Sequence, residues 1–209
     1  MEPKIPFVIT ISRQLGSGGA YIGQQLAKKL HVFYADREII SEAAKKLSVK
    51  EKELETRDEK ALFWQSLIES YAANTDNYLP TQIIVPIDRE LFEAESEIIE
   101  RIAKERSAVI IGRCGSHILR NYPNHISLYF HADNVSRIAR IRKLYEKSEE
   151  AAERMMLKSD KERGRYTHKF TGEDWNDLKL YDLTVNTGVL GMDGTVELVL
   201  KYLKERGIS

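Results

Sequence analysis

Short apolar runs alternate with long amphipathic stretches along the chain, and this alternation predicts its layout. Residues 7–12 (FVITIS), 31–35 (HVFYA), 108–111 (AVII), 125–130 (HISLYF) and 181–185 (YDLTV) are β-rich and apolar enough to be buried strands. Between them apolar residues recur at helical spacing, as with Ile22, Leu26 and Leu30 in 21–30, and similar patterns cover 135–145, 149–161 and 194–206. Strands alternating with helices predict an α/β fold with a parallel sheet covered on both faces. The gap of about 70 residues between the second and third strands is far longer than one crossover needs. It has a helical pattern from about 38 to 106, broken near 74–80 and at Pro86, with a stripe of Phe63, Trp64, Leu67, Ile68 and Tyr71 read as core. A helical subdomain grafted on the sheet is the expectation. Open sheets of this kind bind ligands at the carboxyl ends of their strands, which points to the residues after Ser12, Ala35, Ile111, Phe130 and Val185.

The richest of these segments is 12–23 (SRQLGSGGAYIG). A glycine-rich turn from a strand into a helix presents backbone N–H groups to an anion, and the helix dipole adds to the attraction. Gly16, Ser17, Gly18 and Gly19 are the candidate phosphate cradle; a tight turn without a ligand is the plain alternative. Two phosphate patterns compete. The dinucleotide fingerprint G-x-G-x-x-G finds Gly16 and Gly18 but has Tyr21 in its last place, with Asp36 near the position of the ribose-binding acid. The longer loop G-x-x-x-x-G-K-[ST] tolerates the intervening Arg13, Gln14 and Leu15, yet matches only Gly18. Position by position, neither pattern is complete.

Composition narrows the classes. With 209 residues, 42% of them hydrophobic, the chain suits one domain that folds without a staple. Its 32 basic and 32 acidic residues give no net charge, which argues against coating a nucleic acid polymer or an anionic membrane. Cys114 is the single cysteine, so no intramolecular disulfide and no multi-cysteine zinc site is available, and a small buried thiol is expected there. No apolar run approaches the roughly 20 residues of a membrane span, and the strand-like start after Met1 resembles no secretory leader, so the cytoplasm is the expected location. The charge is unevenly spread. Residues 36–105 hold 17 acidic and 10 basic side chains, whereas 137–169 hold 6 acidic and 11 basic. The later segment is either a solvated helical face or a surface that meets an anion.

Four segments in order carry a resemblance. Residues 11–19 (ISRQLGSGG), 33–38 (FYADRE), 109–115 (VIIGRCG) and 181–187 (YDLTVNT) resemble the cytidylate kinase-like family, a branch of the P-loop nucleoside monophosphate kinases. The resemblance implies a P-loop NTPase-like three-layer α/β/α fold with a five-stranded parallel sheet, a helical NMP-binding insertion and a basic lid. The whole chain would be one kinase-like domain, with its core at about 1–36, 107–150 and 180–209, the insertion at about 37–106 and the lid at about 151–172. It also implies transfer of the γ-phosphoryl of ATP to a nucleoside monophosphate, by resemblance CMP or dCMP, with Mg²⁺ whose protein ligands stay open. Nucleotides are the implied partners, with no membrane involved; the oligomeric state is left open. The chain departs from the pattern at three places. Gly19 stands at the phosphate-loop lysine, Ala20 at the magnesium-binding hydroxyl, and Ile111 where an aspartate precedes Gly112 and Arg113 in related cytidylate kinases. A nucleotide-binding protein with a degenerate loop and little transfer activity is therefore the alternative, and a Rossmann-type oxidoreductase a distant third.

The resemblance assigns roles residue by residue. Arg13, at the start of the loop, is a candidate to replace the lysine, since arginine grips phosphate bidentately; a surface salt bridge is the alternative. Asp36 and Arg37 would bind the acceptor, although Asp36 also suits a helix cap. Arg113, between a buried strand and the next turn, matches the acceptor-phosphate arginine. In the lid, Arg163 and Arg165 would act on the transferring phosphoryl, with Lys161 and Lys169 nearby, Asp160 steering an arginine and Gly164 read as a hinge. Asn186 and Thr187 would lie near the adenine, with a simple Asn-Thr-Gly turn as the preferred alternative. No Ser-His-Asp arrangement and no histidine pair with metal spacing is evident.

Overall fold

The computed structural model of the chain describes residues 6–36 and 89–208. Arg37 and the stripe from Phe63 to Tyr71 lie outside the described residues. The elements are β1 (Val8–Arg13), α1 (Gly19–Leu30), β2 (Phe33–Ala35), α2 (Arg89–Glu105), β3 (Ala108–Ile111), α3 (Gly115–Ile118), β4 (His125–His131), α4 (Asn134–Tyr145), α5 (Glu149–Thr171), a 3₁₀ turn at Leu178–Leu180, β5 (Leu183–Asn186) and α6 (Thr187–Glu205). The five strands form one parallel sheet in the order β2-β3-β1-β4-β5. Register sets Ile9 opposite Val109 and Ile126, and Phe130 opposite Val185.

Side-chain alternation divides each strand between two cores. Ile9, Ile11, Val109 and Ile111 face a core shared with Ile22 and Leu26 of α1 and Val196, Val199 and Leu203 of α6. Val8, Ala108 and Ile110 face the other, with Ile98, Ile99 and Ile102 of α2 and Leu119. The expected three layers are thus present, and α2 fills the end of the long gap before β3. All four residues of β3 are buried, as a strand covered on both faces must be. A smaller cluster of Ile141, Ala152 and Met156 welds α4 to α5.

The basic segment differs from expectation. Ser148 caps α5 by accepting a bond from the Ala151 amide, Glu149 and Glu150 complement the positive helix end, and Gly172 closes it at φ +74°. The helix runs 23 residues without a break through Gly164. A β-carbon at Gly164 would stand 3.2 Å from Nε1 of the buried Trp175. This glycine is a seat for the indole, not a hinge.

One buried pair predicts an acid sensitivity. His125 Nε2 lies 2.7 Å from Oγ1 of the buried Thr10. Burial pushes the imidazole down to about 4, against the raising pull of Asp182. Above the unfolded value near 6.5 both states are neutral and stability is whole. As pH falls from there towards 4, the unfolded chain takes up a proton that the folded chain refuses. Stability should therefore fall by about 2–3 kcal/mol across that window. Urea unfolding at pH 7 and pH 4.5 checks this, and His125→Gln should flatten that part of the slope.

Candidate functional site

The glycine loop is held by its carbonyls. Arg163 Nη1 donates to the Arg13 carbonyl at 3.1 Å, and the Ser17 amide and hydroxyl donate to Gln14 at 3.2 and 2.9 Å. Arg137 Nε donates to Leu15 at 2.7 Å, Arg140 Nη1 to Gly16 at 2.6 Å, Thr187 Oγ1 to Ser17 at 2.7 Å, and the Ile22 amide to Gly18 at 3.0 Å. Six consecutive carbonyls thus accept bonds from the protein itself. Oxygens tied down in this way are turned from an anion that approaches the amides. Gly18 caps α1 at φ +81° with no side-chain cap, and no acidic residue lies in the first turn. The helix end therefore offers amides without a competing carboxylate.

The glycines answer first to the fold. A β-carbon at Gly16, itself at φ +84°, would stand 2.7 Å from the Arg137 carbonyl oxygen, where no backbone can give way. At Gly19 it would stand 2.7 Å from Arg13 Cβ. Position 19 is closed to any longer side chain because the Arg13 stem covers it. That stem continues to the β3–α3 turn, where Arg13 Nη1 abuts Gly112. The residue at the missing lysine's place and the candidate replacement are thus in contact.

A cavity of about 560 Å³ opens beyond the ends of β1 and β3, beneath α5. Arg13, Arg113, Arg163, Arg165 and Lys169 line it against two carboxylates, Glu162 and Glu173. Trp175 and Tyr181 supply aromatic wall, and the Tyr181 hydroxyl donates to the Trp175 carbonyl at 2.8 Å. An excess of cations beside aromatic surface fits a phosphorylated ring compound. A second, more open cleft of about 660 Å³ borders the same helix between Gln14 and Asn176. Cys114 also lines the first cavity, but burial pushes its thiol up to about 12, which excludes a thiolate nucleophile near neutrality.

Four predicted arginines, Arg13, Arg113, Arg163 and Arg165, line this cavity, and two of them have partners that sequence did not announce, Glu95 for Arg113 and the Arg13 carbonyl for Arg163. Arg113 and Cys114 both adopt φ +55°, and Arg113 Nη2 pairs with Glu95 Oε1 at 2.9 Å, the two side chains 5% and 1% exposed. Asp160 does engage an arginine, Arg137, at 2.5 Å, and that buried guanidinium in turn holds the loop. Arg165 is exposed at the rim. Asp36 follows β2 and is not among the residues lining either cavity. Asn186 accepts from the Gly188 amide as the cap of α6, and Thr187 is buried under the loop, so both act as structural turn residues. Arg137 and Arg140 escaped the sequence reading. Their only local signal is a pair of arginines three apart on a helix that follows β4. Among the described residues no group of three or more His, Cys, Asp or Glu could hold a metal ion.

A model of the cytidylate kinase-like family matches residues 8–189. Cytidylate kinase of Saccharolobus islandicus (strain L.S.2.15 / Lassen #1) is 30% identical over 109 residues, 52% of this chain and 57% of that protein. Cytidylate kinase of Archaeoglobus fulgidus is 29% identical over 124 residues, 59% of this chain and 66% of its own. The chain thus spans less than two thirds of the length of the curated relatives it matches. Among solved structures, an uncharacterized protein from Eubacterium ventriosum ATCC 27560 superposes with a TM-score of 0.72 at 24% identity, covering 95% of this chain and 98% of that one. Shikimate kinase from Bacteroides thetaiotaomicron reaches a TM-score of 0.50 at 13% identity, with 95% and 98% covered. These structural likenesses show a shared α/β fold. No helix among the described residues is long and apolar enough to cross a membrane.

Proposed function

Because the chain belongs to the cytidylate kinase-like family, we propose that it transfers the γ-phosphoryl group of ATP to a nucleoside monophosphate, CMP or dCMP. The observation that carries this reading is the loop with six engaged carbonyls beside a cavity lined by five cations. An acceptor phosphate oxygen forms the new bond to the γ-phosphorus, the bond to the β–γ bridging oxygen breaks, and its electron pair leaves with ADP. Such a reaction needs positioning and charge neutralisation more than covalent help. Amides of Gly16, Gly18 and Gly19 hold the donor phosphates, and Ser17, its own amide bonded to the Gln14 carbonyl, shapes the turn between them. Arg13 stands in for the loop lysine, its guanidinium lying between loop and acceptor turn. Arg163 and Arg165 meet the charge that develops on the transferring group, and Arg113 meets the acceptor phosphate; Asp36 and Arg37 are the further acceptor-binding candidates. Residues 37–106 are the acceptor-binding insertion and 151–172 the lid over the core at 1–36, 107–150 and 180–209.

The described residues do not form a protein cage for Mg²⁺: Ala20 replaces the usual hydroxyl, and the Ser17 hydroxyl is turned to Gln14. Magnesium would enter with the substrate, on the phosphates of ATP. A second reading, a nucleotide-binding protein with little transfer activity, is favoured by one observation, the closure of position 19 by Arg13. Calorimetric titration with ATP, CMP and NADH tests the shared part of both. Binding of ATP and CMP at separate, compatible sites is expected. Binding of NADH in preference to ATP would replace both with a dinucleotide protein.

A further inference from the structure

Glu95 lies on α2, is 1% exposed, and receives partners from two other elements. Arg113 of the β3–α3 turn pairs with Oε1 at 2.9 Å, and the Tyr166 hydroxyl of α5 donates to Oε2 at 2.9 Å. The same tyrosine ring lies 5.2 Å beneath the Arg113 guanidinium carbon. One turn on, Phe170 of α5 stacks on Phe92 of α2, with centroids 4.3 Å apart and planes 8° from parallel. The Cys114 thiol donates to Thr167 Oγ1 at 3.9 Å. On the inner face of the same helix, Asp160 and Arg163 reach the glycine loop through Arg137 and the Arg13 carbonyl. Residues 160, 163, 166, 167 and 170 share one helical face, so the seating of one helix bears on both halves of the site.

We infer that Glu95 is a positioning residue that ties the aim of Arg113 to the docking of α5. Burial makes the Glu95–Arg113 pair strong, because its attraction is not screened by water. Tyr166 supplies part of that burial. If α5 lifts, its hydroxyl and ring leave together, water reaches both charges, and an exposed pair of this kind holds geometry weakly. Arg113, in a left-handed conformation that needs support from its surroundings, then loses its fixed direction. The coupling is reciprocal: an acceptor phosphate that needs Arg113 in this place favours the docked helix. This inference rests on the acceptor role proposed for Arg113, while the coupling of helix and arginine stands apart from the identity of the acceptor.

The test uses the full chain with Glu95→Gln, Tyr166→Phe and the double variant. CMP and ATP dissociation constants and hydrogen exchange over 160–171, with and without CMP, are measured. Glu95→Gln keeps the shape of the side chain and removes its charge. It should weaken CMP binding about tenfold, as expected for a lost charged contact, weaken ATP binding by less, since α5 still reaches the glycine loop through Asp160 and Arg163, and speed exchange in 160–171. Tyr166→Phe should shift the same quantities in the same direction by less. The double variant should differ little from Glu95→Gln alone, because both changes cut one linkage. Glu95→Asp should recover part of the CMP affinity. If Glu95→Gln fails to fold, Tyr166→Phe carries the same readouts. Unaltered exchange over 160–171 in the variants that fold, or effects that simply add, overturns the inference. A wild-type chain that binds no CMP removes the acceptor reading, while exchange in the ligand-free variants still decides the coupling.

Discussion

Arg113→Ala is expected to destabilise the fold by about 3–5 kcal/mol, the usual cost of removing one partner from a buried ion pair. The reason is the Glu95 carboxylate, which is 1% exposed and loses the guanidinium it faces. For a chain of this size such a loss lowers the unfolding midpoint by about 10 °C. The acceptor KM should rise as well, through loss of the contact proposed for the monophosphate. Denaturant unfolding of Arg113→Ala and of Arg113→Ala/Glu95→Gln separates the two effects. The double variant should regain a substantial part of the stability, since the stranded charge is gone, and none of the acceptor affinity. Equal stability of wild type and Arg113→Ala would mean that the pair is solvated.

Arg13→Met is expected to lower kcat and kcat/KM together by about a hundredfold or more. Methionine keeps the apolar stem that covers Gly19 and removes the charged fork. Two charged hydrogen bonds at about 1.5 kcal/mol each give that factor if they are made in the transition state. A group that only bound ATP would raise KM and leave kcat near its original value. Steady-state kinetics with ATP varied at saturating CMP distinguishes them. An unchanged kcat in Arg13→Met would mean that Arg13 does not take the missing lysine's part in the transition state.

Much of this site was legible in the sequence because its parts are local. A four-residue run such as Ala108–Ile111 is apolar throughout only because both faces of the sheet are covered, and the glycine loop announces itself between strand and helix. The supports were not legible, because their partners lie far along the chain. Arg137 and Leu15 are 122 residues apart, Arg140 and Gly16 124, Thr187 and Ser17 170, and Tyr166 and Glu95 71. Gly164 shows the converse limit. A glycine among basic residues has the same local signature whether it is a hinge or a seat for a tryptophan, and only the position of Trp175 decides. The helix α3 has four residues and no period to read. The last helix begins at Thr187 and bends at Gly191, so its first turns carry turn-like residues.

The most direct measurement is turnover of the wild-type chain with ATP and Mg²⁺ against CMP, dCMP, UMP, AMP and GMP, following ADP and the nucleoside diphosphate together. The account predicts that CMP or dCMP gives the highest kcat/KM, with ADP and the new diphosphate formed in equal amounts. Binding of ATP and CMP without any acceptor-dependent ADP would contradict it.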